Sequence, residues 1–197
     1  MQDYIFSNDF SRNIDAMIYT CGFENCAPGH SYGPIMRNGY LIHYILEGRG
    51  IYKARGKIFR LKKGDAFLIC PGELIYYEAD AKAPWSYTWI GMQGIKVEGY
   101  LERTILPQCL ICHYGDDKQL LSCHEKMFEA DTLPRNKDLI MNSILYEYLF
   151  LLTLRFPNSQ LSLNEKKSDY VEEALRYIES RYCDPIAIQD LADHLNI

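Results

Sequence analysis

Long apolar runs are missing from this chain. None of its 197 residues lies in a stretch approaching the ~20 apolar positions that cross a bilayer, which excludes a helical membrane protein. The segment from Met1 to Phe10 has no basic stretch leading into an apolar one. A secretory leader is therefore not expected, and a cytoplasmic setting is. Positive charge is also short, with 21 Lys and Arg against 26 Asp and Glu. The net charge of −5 excludes a uniformly basic nucleic-acid coat, although a local basic surface remains compatible with it. Histidines number five, and no strand candidate carries the His-x-His pair with which many β-barrel enzymes begin a metal site.

What is present is globular: 48% hydrophobic and 24% charged residues, enough to collapse and too apolar for disorder. Seven cysteines, an odd number, read as reduced thiols. Sixteen tyrosines supply amphipathic rings suited to lining a ligand pocket.

The chain divides into zones by period. Residues 1–94 carry short strand signals separated by glycine turns. Tyr40 to Leu46 ends at Gly48-Arg49-Gly50; Ala66 to Cys70 ends at Pro71-Gly72; Ser86 to Met92 is a further strand. This spacing predicts an antiparallel sandwich or barrel. Residues 95–156 change to a helical period, with candidates over Asp117 to Ala130 and Asp138 to Phe156 joined through Pro134, a helical hairpin. Residues 157–168 are polar and aperiodic, as a linker should be, and Ser168 reads as an N-cap. In residues 169–197 a helix with Val171, Ala174, Leu175 and Ile178 breaks at Asp184-Pro185 and a second begins with Ile188, Leu191 and Leu195.

That ending is how a helix-turn-helix opens, although two ordinary amphipathic helices give the same spacing. The segment Ala174 to Tyr182 followed by Ile186 to Ala192 resembles the start of the DNA-binding domain of AraC-family transcription regulators. Gly39 to Gly50, Leu61 to Asp65, Pro71-Gly72-Glu73 and Pro84 to Trp89 resemble the cupin-type arm of the same family. Cys21-Gly22 with Pro28 to Pro34 is most similar to its regulators of oligosaccharide operons in Gram-positive bacteria. The resemblance implies a mainly β fold with α: a cupin-like double-stranded β-helix, a helical hairpin, and the first helices of a helix-turn-helix domain inside which the sequence stops. It further implies a homodimer through an antiparallel helix pair, a mono- or oligosaccharide effector, and DNA as the partner of the full-length protein. The expected mechanism is that sugar orders an N-terminal arm, roughly residues 1–34, over the barrel and so shifts how the linker presents the DNA-binding domains. Residues 169–197 hold seven acids against two bases, so this fragment by itself is expected not to bind DNA.

The site candidates come from the same source. In the family's arabinose-binding member an arginine just before the strand that corresponds to Tyr40–Leu46, a tyrosine soon after the Pro-Gly turn and two alternate residues of the Trp-containing strand touch the sugar. Carried over, these fall on Arg37, Tyr77, Tyr87 and Trp89; Tyr87 stands where that member has a histidine, which leaves the sugar open. Flat rings stack on sugar C–H faces and forked donors take the hydroxyls. His30, in a Gly29–Ser31 loop, is a further candidate contact. Each ring is equally readable as core. His43 stands alone on its strand, between Leu41 and Ile45, so no metal, cofactor or metal-dependent catalysis is expected. Cys109-Leu110-Ile111-Cys112-His113 matches the haem-attachment pattern, and with Cys123-His124 it offers a conceivable zinc set. Buried thiols are the expectation for it. The alternative to a regulator is a non-regulatory cupin, a lectin-like binder or a sugar isomerase, for which the tail after Ser168 has no use.

Overall fold

The computed structural model describes residues 3–7, 14–159, 165–183 and 185–195, the stretch 165–172 by its backbone only. The chain separates into two compact units, 1–157 and 158–197.

Among the described residues of the first unit ten strands build two sheets. Strands β1 (Tyr4–Ser7), β2 (Met17–Asn25), β4 (Tyr40–Glu47), β7 (Asp65–Ile69), β9 (Ser86–Gln93) and β10 (Ile111–His113) form the larger, in the order β1-β2-β9-β4-β7-β10. Strands β3 (Ser31–Ile35), β5 (Arg49–Ala54), β6 (Lys57–Lys62) and β8 (Ile75–Ala79) form the smaller, in the order β3-β8-β5-β6. All pairings are antiparallel. The chain passes from one sheet to the other after β2, β3, β4, β6, β7 and β8, which is the winding of a double-stranded β-helix. Turns make these passages tight. At Gly48, φ is +70° and a Cβ would lie 2.1 Å from the Pro84 carbonyl oxygen, so only glycine fits.

One half of the barrel interior is solid. Tyr52, Phe67 and Trp85 pack with ring centroids 4.5 Å (Tyr52–Phe67) and 6.0 Å (Phe67–Trp85) apart, and the Tyr52 hydroxyl donates to the Leu68 carbonyl at 2.8 Å. The outer face of the larger sheet is covered by helices. Short helices α1 (Val97–Glu102) and α2 (Leu106–Cys109) lead to α3 (Lys118–Asp131), whose N-cap Asp117 accepts from the Gln119 and Leu120 amides. Helix α4 (Lys137–Arg155) follows and completes the hairpin. It buries Met141, Ile144, Leu145, Tyr148, Leu149 and Leu152 while leaving Leu139, Phe150 and Leu154 exposed.

Two expectations need correction. Most of the segment expected as an N-terminal arm is barrel: β2 lies between β1 and β9, and β3 edges the smaller sheet. Its Thr20-Cys21-Gly22-Phe23-Glu24-Asn25 stretch is a strand with a polar interior row, which apolar alternation does not reveal. In the second unit α5 (Glu165–Arg181) begins before Ser168, so that residue is not an N-cap; Glu165, Lys166 and Lys167 are good helix formers and extend the helix backwards. The linker candidates 160–164 and the Asp184 of the expected break lie outside the described residues. Helix α6 (Ile188–Leu195) follows, with Tyr177 and His194 ring centroids 4.6 Å apart. Among the described residues no helix is long and apolar enough to cross a membrane.

Candidate functional site

The other half of the barrel interior is hollow. A cavity of about 280 Å³ opens there, and its wall follows from strand register. Ile5 on β1 pairs with Gly22 on β2, Gly22 with Trp89 on β9, Trp89 with His43 on β4, and His43 with Phe67 on β7. This is a single cross-strand row pointing inward. Gly22 is there because the indole lies across it. A Cβ at that position would stand 2.3 Å from Trp89 Cζ2 and 2.4 Å from Cη2. The next row places Glu24 beside Tyr87. On the opposite sheet Tyr32 pairs with Tyr77, and their rings stack at 5.4 Å. The guanidinium of Arg37, in the β3–β4 connection, sits 4.6 Å above the Tyr32 ring.

The structure brings Arg37, Tyr77, Tyr87 and Trp89 to this cavity together. Tyr87 and Trp89 lie two apart on one strand, with ring centroids 5.9 Å apart. Trp89 is 8% exposed and its Nε1 donates to Thr20 Oγ1 at 3.3 Å, so it is part of the core and part of the wall at once. His30 is not among the lining residues. Its Nε2 lies 3.2 Å from Glu24 Oε1, and Glu24 Oε2 in turn accepts from the Tyr87 hydroxyl at 2.7 Å. His30 therefore braces a carboxylate rather than meeting the cavity. Sequence reasoning missed Glu24, Thr20 and Tyr32, all of which line it, and it noted His43 only to discount a metal. The signal for the first three lay in the register between β2 and β9 and between β3 and β8, which no local pattern carries.

The electrostatics of the wall are set mainly by burial. Burial, then the neighbouring Arg37 charge, brings His43 down to about 3, so its ring is neutral. Burial pushes the Tyr77 and Tyr87 hydroxyls up, keeping them protonated donors. Arg37 and Glu24 contribute one charge of each sign.

Metal ligation has poor footing here. The inward residues of β4 and β8 are Leu41, His43, Ile45 and Ile75, Tyr77, Ala79, a set with one nitrogen donor and no carboxylate. It does not fit the histidine-rich metal centre of cupin enzymes. Among the described residues the one group with metal-like proximity is Glu24, Cys26 and His30, whose ligand atoms lie within 4.8 Å of one another. Burial pushes the Cys26 thiol up to about 12, and Glu24 is already held by Tyr87 and His30, so this cluster is better described as a braced carboxylate. The Cys109–His113 motif forms no such group: Cys109 is exposed, Cys112 and His113 lie on β10, and Cys123 and His124 are buried on α3.

Behind the wall, the outer face of the same strands meets the helices. Thr88 Oγ1 donates to the Gly22 carbonyl at 2.8 Å and lies 3.0 Å from His124 Nδ1 on α3. On β1, Ile5 faces the cavity while the Tyr4 hydroxyl donates to Asp131 at the end of α3 and its ring packs at 5.0 Å on Phe128.

A cupin-type barrel, hollow at one end, ring-lined and backed by a helical hairpin, defines a small-molecule-binding domain. Comparison gives its family. The AraC-like ligand binding domain family matches residues 18–149, and the chain belongs to that family. It is the effector-binding regulatory portion of an AraC-type transcription regulator. It is similar to the Msm operon regulatory protein of Streptococcus mutans, 34% identical over 96% of this chain and 70% of that protein. The raffinose operon transcriptional regulatory protein RafR of Pediococcus pentosaceus is 27% identical over 95% and 69%. The lactose operon transcription activator of Staphylococcus xylosus is 26% identical over 93% and 67%.

Proposed function

We propose that the effector is a sugar and that the chain controls carbohydrate-use genes in the cytoplasm. One observation carries this reading. The cavity pairs a flat indole with a ring of protonated hydroxyls, one guanidinium and one carboxylate. Stacking suits the C–H faces of a sugar, and the polar groups suit its edges. The raffinose and lactose operon relatives support the same class of ligand. The chain binds without turning its ligand over: acid–base work needs a group poised near neutral pH, and His43 stands at about 3 with the cavity tyrosines raised.

Signal transfer follows from β1. A ligand touching Ile5 favours the paired state of this strand, and Tyr4 passes that preference to Asp131 and Phe128 on α3. The ligand thereby selects one arrangement of β1 and the helical hairpin. The exposed stripe Leu139, Tyr146, Phe150 and Leu154 on α4 pairs with its copy in a two-fold dimer. DNA binding belongs to the full-length regulator.

The test is thermal-shift and calorimetric screening against raffinose, lactose, galactose, glucose and arabinose. A sugar at a hundred times its Kd raises stability by about 2.7 kcal/mol. Absence of any shift or heat with all of them would refute the sugar reading.

A further inference from the structure

We infer that His43 is the residue that selects the effector, by hydrogen-bonding one hydroxyl of a single uncharged sugar ring stacked on Trp89; this rests on the cavity being a sugar site.

His43 stands at the boundary between the solid and hollow halves of the barrel. On one side its ring lies flat on Phe67, the planes 1° apart and the centroids 4.6 Å apart. Tyr87 meets it edge-on at 5.1 Å and Trp89 lies beside it at 6.1 Å. On the other side is the cavity, which His43 lines. The residue is 2% exposed, and its Nδ1 is buried without a hydrogen-bond partner.

Packing alone does not account for an imidazole here. Its ring contacts are with Phe67, Tyr77, Tyr87 and Trp89, and a phenyl ring would satisfy those neighbours without leaving a polar atom orphaned. A buried polar atom with no partner is a standing cost, and a ligand hydroxyl that reaches it removes that cost. The cavity is the open space beside this ring. A half-turn about Cβ–Cγ keeps the ring flat against Phe67 and exchanges which nitrogen faces the cavity, so a neutral imidazole offers either a donor or an acceptor. A sugar hydroxyl accepts both.

Charge and size narrow the ligand. Arg37 and Glu24 bring one charge of each sign to the wall, so an added carboxylate or ammonium would leave the cavity unbalanced. The volume of about 280 Å³ falls just below the range of about 300–1,000 Å³ of pockets that hold drug-sized ligands. One ring enters, and the rest of an oligosaccharide extends through the mouth.

The experiment uses the full chain and its His43→Phe and His43→Gln variants. Melting temperatures are taken without sugar. Affinities are measured for raffinose, lactose, galactose, glucose and arabinose, and for the monodeoxy forms of whichever is bound. His43→Phe is expected to melt at or above the wild type and to lose about tenfold or more in affinity, with His43→Gln regaining part of it. The deoxy sugar that costs the wild type about tenfold should cost His43→Phe nothing further. Equal binding by wild type and His43→Phe overturns the inference and leaves the sugar reading standing. Lower melting temperatures in both variants would assign His43 to packing and overturn it as well. A wild type that binds none of the five sugars removes the reading on which it rests.

Discussion

Replacing Gly22 with alanine puts a methyl group into space that two neighbours already occupy. The new carbon would stand 2.3 and 2.4 Å from two carbons of the Trp89 indole and 2.4 Å from the Tyr4 carbonyl oxygen. Non-bonded carbons settle at about 3.5–4.0 Å, so the shortfall exceeds about 1 Å on the indole side, and the carbonyl oxygen is also far inside contact distance. Neither neighbour yields freely. The indole is held by its hydrogen bond to Thr20, and the carbonyl belongs to the β1 backbone, where Tyr4 pairs with Phe23. Overpacking of this kind costs about 1–3 kcal/mol. In a domain of this size each kcal/mol lowers the melting temperature by about 2–4 °C. An indole pushed out of plane also loses its stacking partner, which we expect to cost about tenfold in sugar affinity, equivalent to about 1.4 kcal/mol. Differential scanning calorimetry gives the first quantity and titration calorimetry the second. Adding Trp89→Phe shortens the ring and should return part of the lost stability, because the two changes share one contact. If Gly22→Ala melts within about 1 °C of the wild type and binds sugar equally well, the indole does not lie against Gly22 as described.

Further outcomes follow from other features. His43 and His124 are both held neutral by burial, each down to about 3 from 6.5. As pH falls through 6.5 the unfolded chain takes up protons that the native state refuses, so stability present above 6.5 is lost progressively on acidification, by up to about 1.4 kcal/mol per pH unit for each histidine. Denaturant melts at neutral and at mildly acidic pH should show this, and His43→Phe should reduce the slope by about half; equal slopes in the two proteins would contradict the assignment. Phe150 is 63% exposed on the apolar stripe of α4, so Phe150→Glu should turn a dimer into a monomer in light scattering without lowering the melting temperature of the subunit. A dimer that survives the change would place the interface elsewhere. Residues 169–197 carry an acidic excess equal to that of the whole chain, and these 197 residues alone should give no salt-sensitive shift of operator DNA in a gel.

How much of this was legible in the sequence depends on the range of the signal. Tyr87 and Trp89 sit two apart in a strand bounded by clear turns, so their common face could be read locally. The helices over 118–131 and 137–155 were equally plain from their apolar period. Glu24 and Thr20 were hidden because β2 alternates polar residues inward, against the usual pattern of an apolar face to the core. His43 was visible as a residue but not as a site. Its significance comes from standing between Trp89 and Phe67, and that neighbourhood is made by strands forty-six and twenty-four residues away. Gly22 likewise looks like an ordinary strand glycine until the neighbouring strand supplies the ring that needs its space.

The division of the barrel into a filled half and an empty one separates two demands that a protein usually has to meet with the same atoms. Tyr52, Phe67 and Trp85 keep the strands together whatever occupies the far end. Residues at the mouth are thus free to vary in a lineage, and a new effector can be adopted by exchanging a few side chains while the scaffold stays folded throughout.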